Sequence, residues 1–197
     1  MEVRLMNSRD SIDEMEYNAA YGMLTCHDNT DKLQNEEPSE FIKRAIKAHH
    51  DTVLEHITLT FEINKLSRAC LQELSRHRHI SLSVESTRHT LKKQLTKEFV
   101  EEHFEPSTTN WRYVEAIHFL FFAQNHERTP NDELKYFLPE LWPTNLVITL
   151  NIRELRHILK LRTSPAALKE FQDLCHAIFK AVPEDYRYML EDCVHFD

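Results

Sequence analysis

Gly22 is the only glycine in the 197-residue chain, and that scarcity restricts the fold more than any other feature. Glycine-rich turns hold pyrophosphate by letting the backbone approach it closely, in GxGxxG dinucleotide folds and in P-loops alike. Neither can be built from this sequence. A nucleotide or dinucleotide bound here must therefore be held by side chains, with arginine, histidine and asparagine the natural donors.

The length suits one compact domain. Hydrophobic residues at 41% and charged residues at 28% suit a globular chain rather than a disordered one. No apolar run nears the roughly 18 residues that a membrane span needs, and "MEVRLMNSRD" does not read as a signal peptide. The expectation is a cytoplasmic protein with no membrane partner. A net charge of −8 argues against a general nucleic-acid partner, so any bound anion must meet a local cluster of cations. Cys26, Cys70, Cys175 and Cys193 are scattered without a CxxC pair and read as reduced, structural thiols. The histidines, including His49–His50 and His77/His79, form no HExxH motif and no Cys/His ribbon, so no metal is expected.

Acidic, helix-leaning sequence fills residues 10–24. "NEEPSEFIKRAIKAHH" (35–50) reads as a helix opened by Pro38, with Phe41, Ile42, Ala45 and Ile46 as its apolar stripe. Residues 53–64 alternate as a half-buried strand, with Ile57, Leu59, Phe61 and Ile63 on one side. Residues 65–78 read as a helix, 80–88 as extended, 111–126 as a long aromatic-rich helix and 131–138 as another helix. A short buried strand at 145–150 precedes helices at 151–162 and 165–182, the last opened by Pro165. The strands are too few and too scattered for a βαβ series. The fold class expected is α+β, a single compact domain with a small, mostly antiparallel sheet packed with several helices.

Two places concentrate polar chemistry. "RHRHISLSVESTR" (76–88) crowds arginines, histidines and serines together. Arg76 and Arg78 would come from a helix end, while Ser86 and Arg88 would share one side of an extended segment. Together they would suit a phosphate and a planar polar ring. The alternative is a solvated basic helix end beside a serine-rich edge strand. Ser86 lacks the GxSxG elbow of a nucleophile. An RNA-binding loop is a further alternative, disfavoured by the acidic total and the lack of an RNP-like pattern. In the second place, Leu155, Ile158 and Leu159 make an apolar stripe that Arg162 continues at i+3/i+4 spacing. That arginine either snorkels past the core edge or meets an anion there. Arg153 and His157 share another face, and Asn151 sits at the expected N-cap.

Arg76-His77-Arg78, seven residues and then Ser86 resembles the signature of the flavin-dependent thymidylate synthases. Four further segments agree in order. "HHDTVLEHITLTFEI" is similar to the family's His-x-Ser/Thr-x-x-Glu-His block leading into a strand, and "RACLQELSRHR" to its helix running into the signature. "LPELWPT" matches a Leu-Pro-x-x-x-x-Thr block, and "NIRELRHILKLR" an Asn-x-Arg-Glu-Leu-Arg-His-x-x-x-x-Arg block. The agreement runs from about residue 38 to 180.

The resemblance implies a homotetramer that holds FAD at subunit interfaces. It implies synthesis of dTMP from dUMP, with methylenetetrahydrofolate as carbon donor and NADPH as reductant through the flavin. Carried over position by position, Arg76, Ser86, Thr87 and Arg88 would line the dUMP pocket, with Glu73 and Lys135 at two further nucleotide positions. His50, Thr52, Arg76, His77, Arg78, Asn151, Arg153 and His157 would be flavin-side residues. Arg162 would be the catalytic cation at the uracil N3–O4 edge. Ser86 would be a binding hydroxyl, not a nucleophile. The other reading is a non-catalytic nucleotide- or RNA-binding module on the same scaffold. The chain departs from the family pattern at several points. Glu73 stands for a glutamine, Ser83-Val84 for Asn-Glu and Lys135 for an arginine, while "TSPAALKEF" follows Arg162 in place of Ala-Gln-Trp-Glu-Ile.

Overall fold

The computed structural model describes residues 1–96, 98, 99, 115, 117–120, 122 and 129–196. Its centre is a pair of long antiparallel strands, β2 (Thr58–Ser67) and β4 (Pro143–Asn151). In β2, Leu59, Phe61 and Ile63 are buried and alternate with half-buried Thr58, Thr60 and Glu62, as a strand with one covered face requires. β4 answers with buried Thr144, Leu146, Ile148 and Leu150. Two shorter strands complete the sheet, β1 (Glu2–Leu5) beside β2 and β3 (Ile80–Val84) beside β4, giving the order β1-β2-β4-β3 with every pairing antiparallel.

Helices α1 (Arg9–Thr25), α2 (Pro38–Lys47), α3 (Arg68–Leu74), α6 (Ile152–Arg162) and α7 (Lys169–Ala181) send apolar residues into one core with the buried sheet face. Ile158, Phe171 and Leu174 from the helices and Phe61 from β2 are each 2% exposed or less. A burial of that completeness contributes about 1.5–3 kcal/mol per large side chain. A second, smaller cluster of Leu91, Leu95, Leu134 and Trp142 gathers α4 (Thr87–Gln94) and α5 (Asn131–Leu134) by the start of β4. The Trp142 indole N–H donates to Gln94 Oε1 at 3.3 Å.

The scarcity of glycine leaves a visible mark. Among the described residues three adopt positive φ and none is glycine: Asp28 (54°), His49 (57°) and Lys65 (62°). His49 ends α2 in a Schellman turn, in which its N–H donates to the Ile46 carbonyl at 3.0 Å and that of His50 to the Ala45 carbonyl at 2.9 Å. Lys65 sits in the irregularity where the β2–β4 register shifts. Gly22 lies inside α1, where an added Cβ would meet only the His56 ring, at 3.7 Å.

The α+β class and the mostly antiparallel sheet are observed as expected, and several element bounds are corrected. The strand expected from 53 begins at Thr58, because residues Asp51–His56 form a 3-10 turn that buries Val53 and Leu54. The extended segment expected over 80–88 stops at Val84, and Thr87 and Arg88 open α4 instead. The 65–78 helix is confined to Arg68–Leu74, with Lys65 to Ser67 belonging to β2. The 131–138 helix is α5 continued by a 3-10 turn, Lys135–Phe137. Pro165 opens a turn, not a helix, and α7 starts at Lys169. The helix expected over 111–126 lies largely outside the described residues. No helix among the described residues is long and apolar enough to cross a membrane.

Candidate active site

The site grows from two helix ends. α3 is capped by Ser67, whose Oγ accepts from the Cys70 N–H at 3.0 Å. Glu170 of α7 holds that cap in turn, one carboxylate oxygen accepting from the Ser67 N–H at 2.8 Å and the other from its hydroxyl. Beyond the end of α3 the chain turns, and the His77 N–H donates to the Leu74 carbonyl at 3.1 Å. His77 enters the interior at 7% exposure, while Arg76 and Arg78 on either side of it stay exposed. α6 begins at Asn151, whose Oδ1 accepts from the Glu154 N–H at 2.9 Å, as a capping amide should. Its stripe of Leu155, Ile158 and Leu159 is buried, and Arg162 continues it to the far end.

There Arg162 meets His77. The guanidinium Nε donates to His77 Nε2 at 3.3 Å, and Nη1 donates to Glu73 of α3 at 2.8 Å. The Arg162 carbon centre lies 4.8 Å from the Phe171 ring centroid, close enough for a cation–π contact. On its other side His77 Nδ1 is 3.5 Å from Glu154 Oε1. Arginine only donates, so His77 Nε2 must be the accepting nitrogen and the proton sits on Nδ1, facing Glu154. The imidazole is thus neutral. Burial lowers its proton affinity first and the Arg162 charge adds to that, against a smaller opposing pull from Glu154. Edge-to-face contacts with His157 (5.9 Å) and Phe171 (6.0 Å) fix the ring plane.

Beside this network opens a cavity of about 710 Å³, within the usual range for a ligand site. Asn151, Arg153, His157, His79, His49 and Lys160 are in its wall. Arg153 pairs with Glu55, which is also in the wall. Arg156 belongs to the structure instead, gripping both Asp192 oxygens at 2.6 and 2.7 Å and the Met189 carbonyl. His50 and Thr52, expected on the flavin side, are exposed, and the cavity wall takes their neighbours His49 and Asp51.

The remaining expected residues lie elsewhere. Ser86 occupies the N-cap position of α4 with no capping bond from its side chain. Arg88 forks onto Asp132 of α5 at 2.6 and 3.1 Å, and Asn131 Nδ2 donates to the Arg88 carbonyl. Lys135 follows directly on α5, its ammonium 5.3 Å from the Tyr136 ring. β3 separates this group from Arg76–Arg78: Ile80 pairs with Leu150 at one end and Val84 with Leu146 at the other. Four extended steps amount to about 13 Å. Within one chain the two halves of residues 76–88 thus lie at opposite ends of β3. Glu85 turns away from both, accepting from Gln94 and Asn145 at 2.9 Å each.

Three contributors escaped the sequence reading: Glu154, Glu170 and Phe171. Glu154 could have been found, since it lies one turn before His157 on a helix already singled out. Phe171 carried no signal, being 94 positions from His77 in sequence. The four cysteines are unpaired, and burial pushes the Cys70 thiol up to about 12 and Cys193 up to about 11, too high for nucleophiles near neutrality.

Comparison with known proteins agrees with this geometry. The family described as "Thymidylate synthase complementing protein" matches residues 5–186. A flavin-dependent thymidylate synthase of Campylobacter jejuni (strain RM1221) is 38% identical over 194 residues, covering 90% of this chain and 92% of the relative. One from Helicobacter pylori (strain ATCC 700392 / 26695) is 41% identical over 160 residues, covering 74% and 76% respectively. The crystal structure of thymidylate synthase X from Helicobacter pylori with FAD and dUMP superposes with a TM-score of 0.84 at 33% identity, over 100% of both chains. With most of its length matched and its fold shared, the chain belongs to the family of flavin-dependent thymidylate synthases.

Proposed function

We propose that this protein makes dTMP from dUMP, taking the methylene carbon from methylenetetrahydrofolate and reducing equivalents from NADPH by way of FAD. One observation carries the reading. The Arg-His-Arg signature and the last arginine of the Asn-x-Arg-Glu-Leu-Arg-His block, distant in sequence, meet as the His77–Arg162 contact beside a cation-bearing cavity. The residues present suit FAD. Arg153, His157, His79 and Lys160 offer donors for a diphosphate, and the Asn151 amide nitrogen is free of the capping bond that its oxygen makes. No glycine loop is needed.

When bound, the flavin supplies the hydride chemistry and carries the one-carbon unit. The chain's own part is to bind, orient and stabilise charge. Arg162 presents a fixed cation to the N3–O4 edge of the uracil, where negative charge develops. Half-buried and already oriented, it needs little reorganisation, the condition under which such donors act most strongly. His77, neutral and without a spare lone pair, supports Arg162 rather than taking a proton itself. Ser86, Thr87, Arg88 and Lys135 supply hydroxyls and cations for the nucleotide, with Arg76 and Arg78 at the junction with the flavin.

The separation of those groups along β3 supports an active site completed by a second copy of the chain in a homotetramer. The same reading places the enzyme in the cytoplasm, where folate, NADPH and dUMP are at hand. Purified protein supplied with FAD, NADPH, methylenetetrahydrofolate and dUMP should form dTMP, and retained flavin should change its visible absorption saturably with dUMP. Flavin that responds to dUMP without any dTMP would instead assign a non-catalytic binding module.

A further inference from the structure

The Glu73–Arg162 pair joins a carboxylate to the very cation that the reaction uses. Arginine has donors on three nitrogens. Here Nε is engaged by His77, Nη1 by Glu73, and one face by Phe171. Among the described residues, Nη2 makes no hydrogen bond to protein. A guanidinium held at two corners and across one face retains a single free edge, whose direction the three contacts decide. Glu73 is itself well anchored. It sits in the last turn of α3, a helix whose N-cap Glu170 holds from α7, the same helix that brings Phe171 beneath the guanidinium.

An exposed ion pair would be of little consequence. This one differs on the arginine side: the Glu73 side chain is 37% exposed, but that of Arg162 is only 17% exposed and is fixed by His77 and Phe171 at the same time. Contacts made together in a desolvated network orient a side chain more strongly than any one alone.

We infer that Glu73 is a positioning residue: it aims Arg162, through the Nη1 contact, so that the Nη2 edge faces the substrate, and does not itself hold the nucleotide. The inference rests on the thymidylate synthase reading for its consequence in turnover, but not for its geometry. Losing an orienting contact costs rate rather than binding. Glu73→Ala should therefore lower kcat about 10- to 100-fold while dUMP affinity, read from the flavin absorption, stays within about 3-fold. Glu73→Gln keeps an acceptor for Nη1 and should restore most of the lost kcat.

In an Arg162→Ala background, Glu73→Ala should cause no further loss, since its effect passes through the missing guanidinium. The crystal structure of Glu73→Ala should show the guanidinium moved from its place over Phe171. If Glu73→Ala does not fold, Glu73→Asp, which withdraws the carboxylate by one methylene, takes its place with the same expected outcomes. Unchanged kcat, an effect that persists without Arg162, or a loss confined to dUMP affinity would each overturn the inference. So would an Arg162 guanidinium left in place. A wild-type enzyme that makes no dTMP would defeat the functional reading instead, and the crystal structure would still decide the role of Glu73.

Discussion

β3 divides two regions that share one stretch of sequence and differ in almost every physical respect. At its start, His77 is buried, Arg162 is half-buried, and the two are joined to Glu73, Glu154 and Phe171 through contacts that converge from α3, α6 and α7. Beyond its end, Ser86 and Arg88 are exposed, and the Arg88 pair with Asp132 stands in solvent at 61% and 52% exposure. The first region is an assembled electrostatic device. The second is a set of donors and hydroxyls in solvent. Preorganisation needs desolvation, and one chain desolvates only the His77 end.

The largest expected effect tests the assembled end. Arg162→Ala should retain fold and FAD yet lose about 100- to 1,000-fold in kcat, as loss of a preorganised charge donor does. Near-normal dTMP formation by that variant would erase the functional distinction between the two ends.

Next comes the neutral state of His77. Its folded proton affinity is lowered, so below the ordinary histidine value of about 6.5 the unfolded chain binds a proton that the folded chain refuses. Stability from this group is present above that pH and is lost as pH falls toward the lowered folded value. The slope from one site is at most about 1.4 kcal/mol per pH unit. Urea midpoints of wild type and His77→Gln between pH 7 and 5 should differ in slope, the variant being flatter. Parallel curves would mean that His77 is already charged or solvated.

The smallest effect concerns the exposed end. Ser86→Ala removes one hydroxyl, about 1 kcal/mol, so dUMP should bind about 5-fold more weakly with turnover remaining. Complete loss of turnover with tight dUMP binding would make Ser86 a nucleophile and reverse the comparison.

Local patterns were legible where local physics decides. The capping role of Asn151 and the Leu155–Ile158–Leu159 stripe continuing to Arg162 follow from helical spacing, and both are observed. The β2 alternation follows the sequence pattern from Thr58 to Ile63. Its start does not, because Val53 and Leu54 are buried by a 3-10 turn that follows the αL residue His49, a conformation no periodicity announces. Val84 to Arg88 looked extended by composition. The ladder ends at Leu146, however, and the next β4 residue, Asn145, uses its carbonyl and side chain on Glu85. The chain is then released into α4. Pro165 suggested a helix start, yet α7 begins four residues later, where Glu170 meets Ser67 of β2.

By itself, the sequence determined the kind of chemistry: a single glycine ruled out backbone phosphate cradles, and the ordered arginine, histidine and asparagine motifs named the side chains that replace them. Only the tertiary structure decided which of those cations is desolvated, that Glu73 is tied to Arg162, and that the serine end of the signature lies apart from its arginine end in one chain. The physical reason is range. Caps and stripes arise from neighbours a turn away, whereas desolvation and ion pairing are set by residues such as Phe171 and Glu154, which only folding brings to His77.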